Sequence, residues 1–255
     1  MNISLLTNRD LASHIVLSRL IGLLSGHRLS IFISEKVGRD QSLPQPLMAL
    51  AEFEKQLIAA SRHSFDSLAR QAGCRLQGFA DIDNRVNGTQ GIERIKATEP
   101  DVILSIRFGL IIREPIIAIP KYGVINLHSG LLPDYRGVMA SFRAMVNGDA
   151  EIGSTLHYIQ DGGVDTGDIL SIARAPLNPE QSYLLNVLSL YTAGCRQMAF
   201  AVQQLDSDIS LRAQPQQGQA NYYSFPTDLE LEEFFALGYQ LFNPAEIEQI
   251  RALQA

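Results

Sequence analysis

Short apolar runs alternate with longer stretches of helical period, and this alternation narrows the architecture to an α/β sheet. The runs cover Ile3 to Leu6, Leu29 to Ser34, Cys74 to Phe79 and Asp101 to Ile106. Between the first two, Leu11, Ile15, Leu17, Leu20, Ile21, Leu23 and Leu24 form a helical stripe. Asp10 is placed to cap its first turn and Gly26 to close its last. Strand, helix and strand in this order make a βαβ unit, and its right-handed crossover makes the sheet parallel. Further helices are expected over 47–61, from Ser64 or Asp66 to Ala72, and over 87–98, with 35–43 a polar loop.

A chain of 255 residues, 46% of them hydrophobic, can bury one sizeable core. A long helix is expected from Ser182 to Leu205, after which residues 206–220 turn polar and glutamine-rich. We therefore divide the chain into a domain over 1–205 and a small extension over 206–255, with short helices at 228–236 and 244–253. A net charge of −6 weighs against gripping a nucleic-acid backbone. Two cysteines make neither a disulfide framework nor a zinc site. The first residues carry no charged leader, and no apolar run reaches membrane-span length, so a cytoplasmic location is expected.

The stretch from Lys121 to Leu170 holds polar residues where polarity is costly. Asn126 and His128 interrupt the apolar run Val124 to His128. In a strand they share one face, and Ile125 and Leu127 share the other. Asp165 lies in the glycine-rich loop Asp161 to Gly167, flanked by strands over Gly153 to Ile159 and Ile169 to Ala173. That loop lacks the spacing of a calcium loop, and no metal is expected. Neither Ser129 nor Ser141 sits in a nucleophile elbow. The turn after the first strand, Leu6 to Asp10, has no glycine, which disfavours a nicotinamide dinucleotide.

The order Asn126-x-His128, Leu131-Leu132-Pro133-x-x-Arg136-Gly137, Asn147-Gly148, Gly153, His157 and Asp165-Thr166-Gly167-Asp168 resembles the folate-dependent formyltransferase family. The resemblance implies a Rossmann-like, parallel-sheet formyltransferase core with a short C-terminal extension, and 10-formyltetrahydrofolate as co-substrate. It implies catalytic roles for Asn126, His128 and Asp165, with His157 behind them. Phe108, Gly109, Leu110 and Ile111, together with Asp161, Gly162 and Gly163, are the expected folate contacts. Asn8, Arg9, Arg107 and Arg136 are the candidates for contacting the acceptor. Arg136 could equally brace its own loop through Asp134 or a backbone carbonyl.

The acceptor stays open. A small-molecule amine is expected, with a nucleotide-linked amino sugar ranked first. A siderophore or secondary-metabolite amine such as hydroxyornithine comes second, and water, as in formyltetrahydrofolate hydrolase, third. Methionyl-tRNA ranks last, because the tail is shorter than the β-barrel that such enzymes carry. Tyr222, Tyr223, Phe225, Phe234, Phe235 and Tyr239 make the tail aromatic, as expected of a homodimer contact or a cover over the acceptor site.

Overall fold

The computed structural model describes residues 1–35 and 43–254, so the polar loop expected over 35–43 lies almost wholly outside the described residues. The chain opens with β1 (Asn2–Asn8), α1 (Leu11–Leu23) and β2 (Arg28–Ser34). It continues through α2 (Gln45–Ala59), α3 (Phe65–Gln71), β3 (Leu76–Gly78), α4 (Thr89–Lys96), β4 (Val102–Ile106), α5 (Glu114–Ile117) and β5 (Val124–His128). A two-residue β6 (Arg136–Gly137), α6 (Ala140–Asn147), β7 (Glu151–Ile159), β8 (Ile169–Pro176) and the long α7 (Tyr183–Asp206) follow. The tail adds β9 (Tyr222–Tyr223), α8 (Asp228–Ala236) and α9 (Ile247–Gln254).

Seven strands form one sheet in the order β3-β2-β1-β4-β5-β7-β8. The first five are parallel, as the βαβ alternation predicts. The last two join through antiparallel pairings, so the sheet is mostly parallel. The connection explains the difference. A short loop of residues 160–168 joins β7 to β8, which suits antiparallel neighbours, whereas parallel strands need a long crossover.

Period-two alternation sends side chains into two cores. Ile3, Leu5, Ile31, Ile33, Leu104, Ile125 and Leu127 face α1 and α7. Leu6, Phe32, Ile103 and Val124 face the opposite layer, with Phe79, Ile95 and Ile116. With both faces covered, every residue of β4 is buried. Gly194 lets α7 lie close on β5, since a Cβ there would come within 2.9 Å of Leu127.

Asp10, the expected cap, and Ser64 and Ser182, at the expected helix starts, each accept a backbone N–H from the first turn of their helices. Gly26 does not close α1, which ends at Leu23 with Leu24 at its cap. Among the described residues no helix is long and apolar enough to cross a membrane.

Residues 206–254 fold back over the domain. Thr227 and Glu230 form a reciprocal capping box on α8. Arg143 of α6 pairs with Glu230 and lies 5.0 Å from the Tyr223 ring centroid. Phe234 is fully buried and stacks on Phe142 at 4.5 Å between centroids. Leu231, Phe234, Leu241 and Ile250 all belong to the same core as β1 and α7. Phe234→Ala should therefore destabilise the whole domain by about 3–4 kcal/mol. The chain has no tryptophan, so urea unfolding followed by far-UV circular dichroism is the suitable measurement. A loss below about 1 kcal/mol would mean that the tail is energetically separate.

Candidate active site

The carboxyl end of β5 carries the site, where open α/β sheets bind ligands. Asn126 pairs across the sheet with Ser105 on β4 and His157 on β7. The loop between β7 and β8 brings Asp165 over this edge. Asn126, His128 and Asp165 thus converge, although 39 residues separate Asn126 from Asp165.

Hydrogen bonds define the protons. His157 Nδ1 lies 2.8 Å from the Tyr158 carbonyl, which can only accept, so Nδ1 carries the proton. His157 Nε2 lies 3.1 Å from Asn126 Nδ2 and 3.3 Å from Asp165 Oδ1: the neutral ring accepts from the amide, and the imidazolium donates to the carboxylate. The other Asn126 N–H points at Asp165 Oδ1, 3.4 Å away. Both hydrogens of this amide are thereby engaged within the site.

His128 is held between two acceptors. Its Nε2–H donates to the Tyr135 carbonyl at 2.7 Å, and its Nδ1 faces Asp165 Oδ2 at 3.4 Å. A neutral imidazole has one N–H and serves one of them, whereas an imidazolium serves both. The Tyr135 carbonyl is itself fixed, because the Tyr135 hydroxyl donates to Asp149 at 2.5 Å and accepts from Asn147 at 2.9 Å. Tyr135 and Asp149 are site residues that the sequence pattern does not single out.

Asp165 gathers these contacts. Its side chain is 10% exposed, with His128 on one oxygen and His157 Nε2 on the other at 3.3 Å. The Gly137 N–H donates to Oδ2 at 2.9 Å. Burial alone would raise its carboxyl. The positive charge of His128, the contacts with His157 and the Gly137 N–H outweigh burial and hold it at about 2. Its backbone sits at φ 53°, in the left-handed region. Aspartate tolerates that region better than most residues. Gly137, at φ 96°, lies where a Cβ would run into the Tyr223 carbonyl, so only glycine allows this N–H to reach Asp165.

Beyond β4, Phe108 and Leu110 pack half-buried against the second core, and Ile111 is exposed. Side chains hold this strip: Ser34 Oγ accepts from the Gly109 N–H at 2.9 Å, and Asn87 donates to the Ile111 carbonyl at 2.7 Å. Leu110 keeps its backbone N–H and C=O free of partners among the described residues. Half-buried apolar wall with free backbone groups at its edge fits a flat heteroaromatic ring such as a pterin. Of the second expected folate segment, Asp161 is spent on its own loop, accepting from Gly163 N–H and Thr166 Oγ1 at 2.7 and 2.9 Å. Gly162 faces Arg113. Gly167 lies against the Tyr158 carbonyl, where a Cβ would clash.

The four candidates for the acceptor differ in availability. Asn8 is buried, and its side chain bonds Asp10 and Ser34. Arg9 is exposed, paired with Glu35 at 3.3 Å and 5.6 Å from the Phe65 ring centroid. Arg107, at φ 56°, donates to Asp10 at 2.8 Å, joining β4 to the cap of α1. Arg136 bonds neither Asp134 nor a backbone carbonyl; its guanidinium meets the side chain of Gln216.

Comparison with known proteins agrees with this architecture. Residues 62–184 match the family model described as formyl transferase. Methionyl-tRNA formyltransferase of Chlamydia caviae is 35% identical over 153 residues, 60% of this chain and 46% of that protein. The chain thus spans about half the length of the curated relatives it matches. An N-formyltransferase from Helicobacter canadensis, solved with folinic acid and dTDP-3-aminofucose, superposes with a TM-score of 0.59 at 18% identity. It covers 93% of this chain and 80% of its own. Glycinamide ribonucleotide transformylase 1 from Symbiobacterium toebii gives 0.60 at 17% identity, over 84% and 92%. Residues 62–184 thus carry a formyltransferase domain, and the sequence relatives and structural neighbours are formyltransferases.

The depressed Asp165 carboxyl has a pH consequence. A carboxyl at about 2 in the fold, against an ordinary 3.8, stabilises the native state above pH 4. That contribution disappears as pH falls toward 2. The stability advantage of wild type over Asp165→Asn should therefore shrink by on the order of 2 kcal/mol between pH 4 and pH 2. Urea midpoints of both proteins across that range measure it, and an advantage independent of pH would contradict the ionised, paired Asp165.

Proposed function

We propose that the chain transfers the formyl group of 10-formyltetrahydrofolate to the amine of a small molecule, with a nucleotide-linked amino sugar as the leading acceptor. The convergence of Asn126, His128 and Asp165 at the end of β5 carries this reading. The acceptor nitrogen attacks the formyl carbon, forming a C–N bond and placing negative charge on the formyl oxygen. In this reading His128, paired with Asp165, stabilises that charge once one ring N–H leaves its internal acceptor for the formyl oxygen. Asn126 can add an N–H once one of its two internal contacts opens. Collapse of the intermediate breaks the bond to the folate nitrogen. The acceptor amine gives up one proton, the folate nitrogen gains one, and a water ordered by Asp165 relays it.

Folate as donor is supported by the family and by the Helicobacter canadensis neighbour, whose complex contains folinic acid. An amino sugar is supported by the same neighbour's dTDP-3-aminofucose and by its 93% coverage of this chain. Methionyl-tRNA is the second reading, favoured by the sequence relatives, which carry that name at up to 35% identity.

Tetrahydrofolate release from 10-formyltetrahydrofolate should require one amine from a panel of nucleotide-linked amino sugars, N-hydroxyornithine-type amines and charged initiator tRNA. His128→Ala should lower it by roughly 100-fold or more. Release without any amine would replace transfer by hydrolysis, and release only with tRNA would establish the second reading.

A further inference from the structure

We propose that Gln216 is a positioning residue of the formyl-transfer site, holding Asp165 and Arg136 in a fixed relation; this rests on the formyl-transfer reading above. Gln214, Gln217 and Gln219 in the same glutamine-rich stretch are exposed, while Gln216 turns inward. A side-chain amide offers two N–H groups and one carbonyl oxygen. Gln216 uses all of them. Its Nε2 donates to the Asp165 and Gly167 carbonyls, both at 2.8 Å. Its Oε1 accepts from Arg136 Nε at 3.1 Å and Nη2 at 2.7 Å.

These contacts close a ring through the site. Gln216 holds the backbone of Asp165, and the Gly137 N–H holds its carboxylate. Gly137 follows Arg136, which Gln216 holds from the other side. The backbone is tied on both flanks of Gln216: Gln214 pairs with Ile169 in both directions, and Asn221 accepts from the Arg136 N–H at 2.9 Å. Asp165 stands at a positive φ, which a non-glycine residue keeps only when its surroundings hold it there. The two Gln216 N–H groups are part of what holds it. Release of this loop would move the carboxylate away from His128 without touching the folate strip at Phe108 to Ile111.

Two variants of the full chain separate the halves of the amide. Gln216→Met keeps the length and removes every hydrogen bond. Gln216→Glu keeps the acceptor for Arg136 and loses both donors. With 10-formyltetrahydrofolate and the panel amine that gives turnover, both variants should lose about 10- to 100-fold in kcat, with KM for the folate within about twofold of wild type. Amide hydrogen exchange should accelerate at residues 164–168 in both variants and stay unchanged in β1. Wild-type kcat in Gln216→Glu with loss only in Gln216→Met would leave the donor half idle and overturn the proposal. Unchanged exchange at 164–168, or acceleration throughout the domain, would overturn it as well. If wild type itself releases no tetrahydrofolate with any amine, the formyl-transfer reading fails, while the exchange measurement still decides whether Gln216 holds the loop.

Discussion

A carboxylate that is nine-tenths buried needs positive charge and N–H donors, and the whole sheet edge is arranged around supplying them to Asp165. Three separate segments contribute. His128 comes from β5, His157 from β7, and the Gly137 N–H from β6. β7 sets His157 directly across from Asn126 and ends at Ile159, opposite Val124 at the amino end of β5. The loop that follows runs back from there and brings Asp165 to His128.

The site's geometry is rigid where it touches strands and conditional where it touches loops. Asn126 and His128 are fixed by a ladder between buried strands. Asp165, within the loop of residues 160–168, and Arg107, directly after β4, stand at left-handed backbone angles, and each is held by side-chain partners. Such residues are costly one at a time and persist where several neighbours agree on their position.

Much of this was legible in the chain because it follows from local pattern. The apolar runs declare the strands, and Asp10, Ser64 and Ser182 declare helix starts through their own side-chain chemistry. Asn126, His128 and Asp165 stand out because they break an apolar or glycine-rich context. Strand direction at β7 was not legible, since period-two alternation is the same either way along a strand. Arg107 and Arg136 were visible as charges, but their partners Asp10 and Gln216 lie 97 and 80 residues away, and no local spacing encodes such a pair. Gln216 sits in a stretch that reads as solvated linker, and only the fold distinguishes it from Gln217.

The tail shares the main core through Phe234 and Ile250, and Tyr223 lies directly against Gly137. The order of biosynthesis gives this arrangement a consequence. While a ribosome is still making α7, the strand that carries Asn126 and His128 has already been synthesised, yet the segments that brace the Asp165 loop have not been translated. A nascent chain would hold these three side chains without their mutual alignment. Their alignment therefore arrives late, with the synthesis of residues 206–254, and not with the strands themselves.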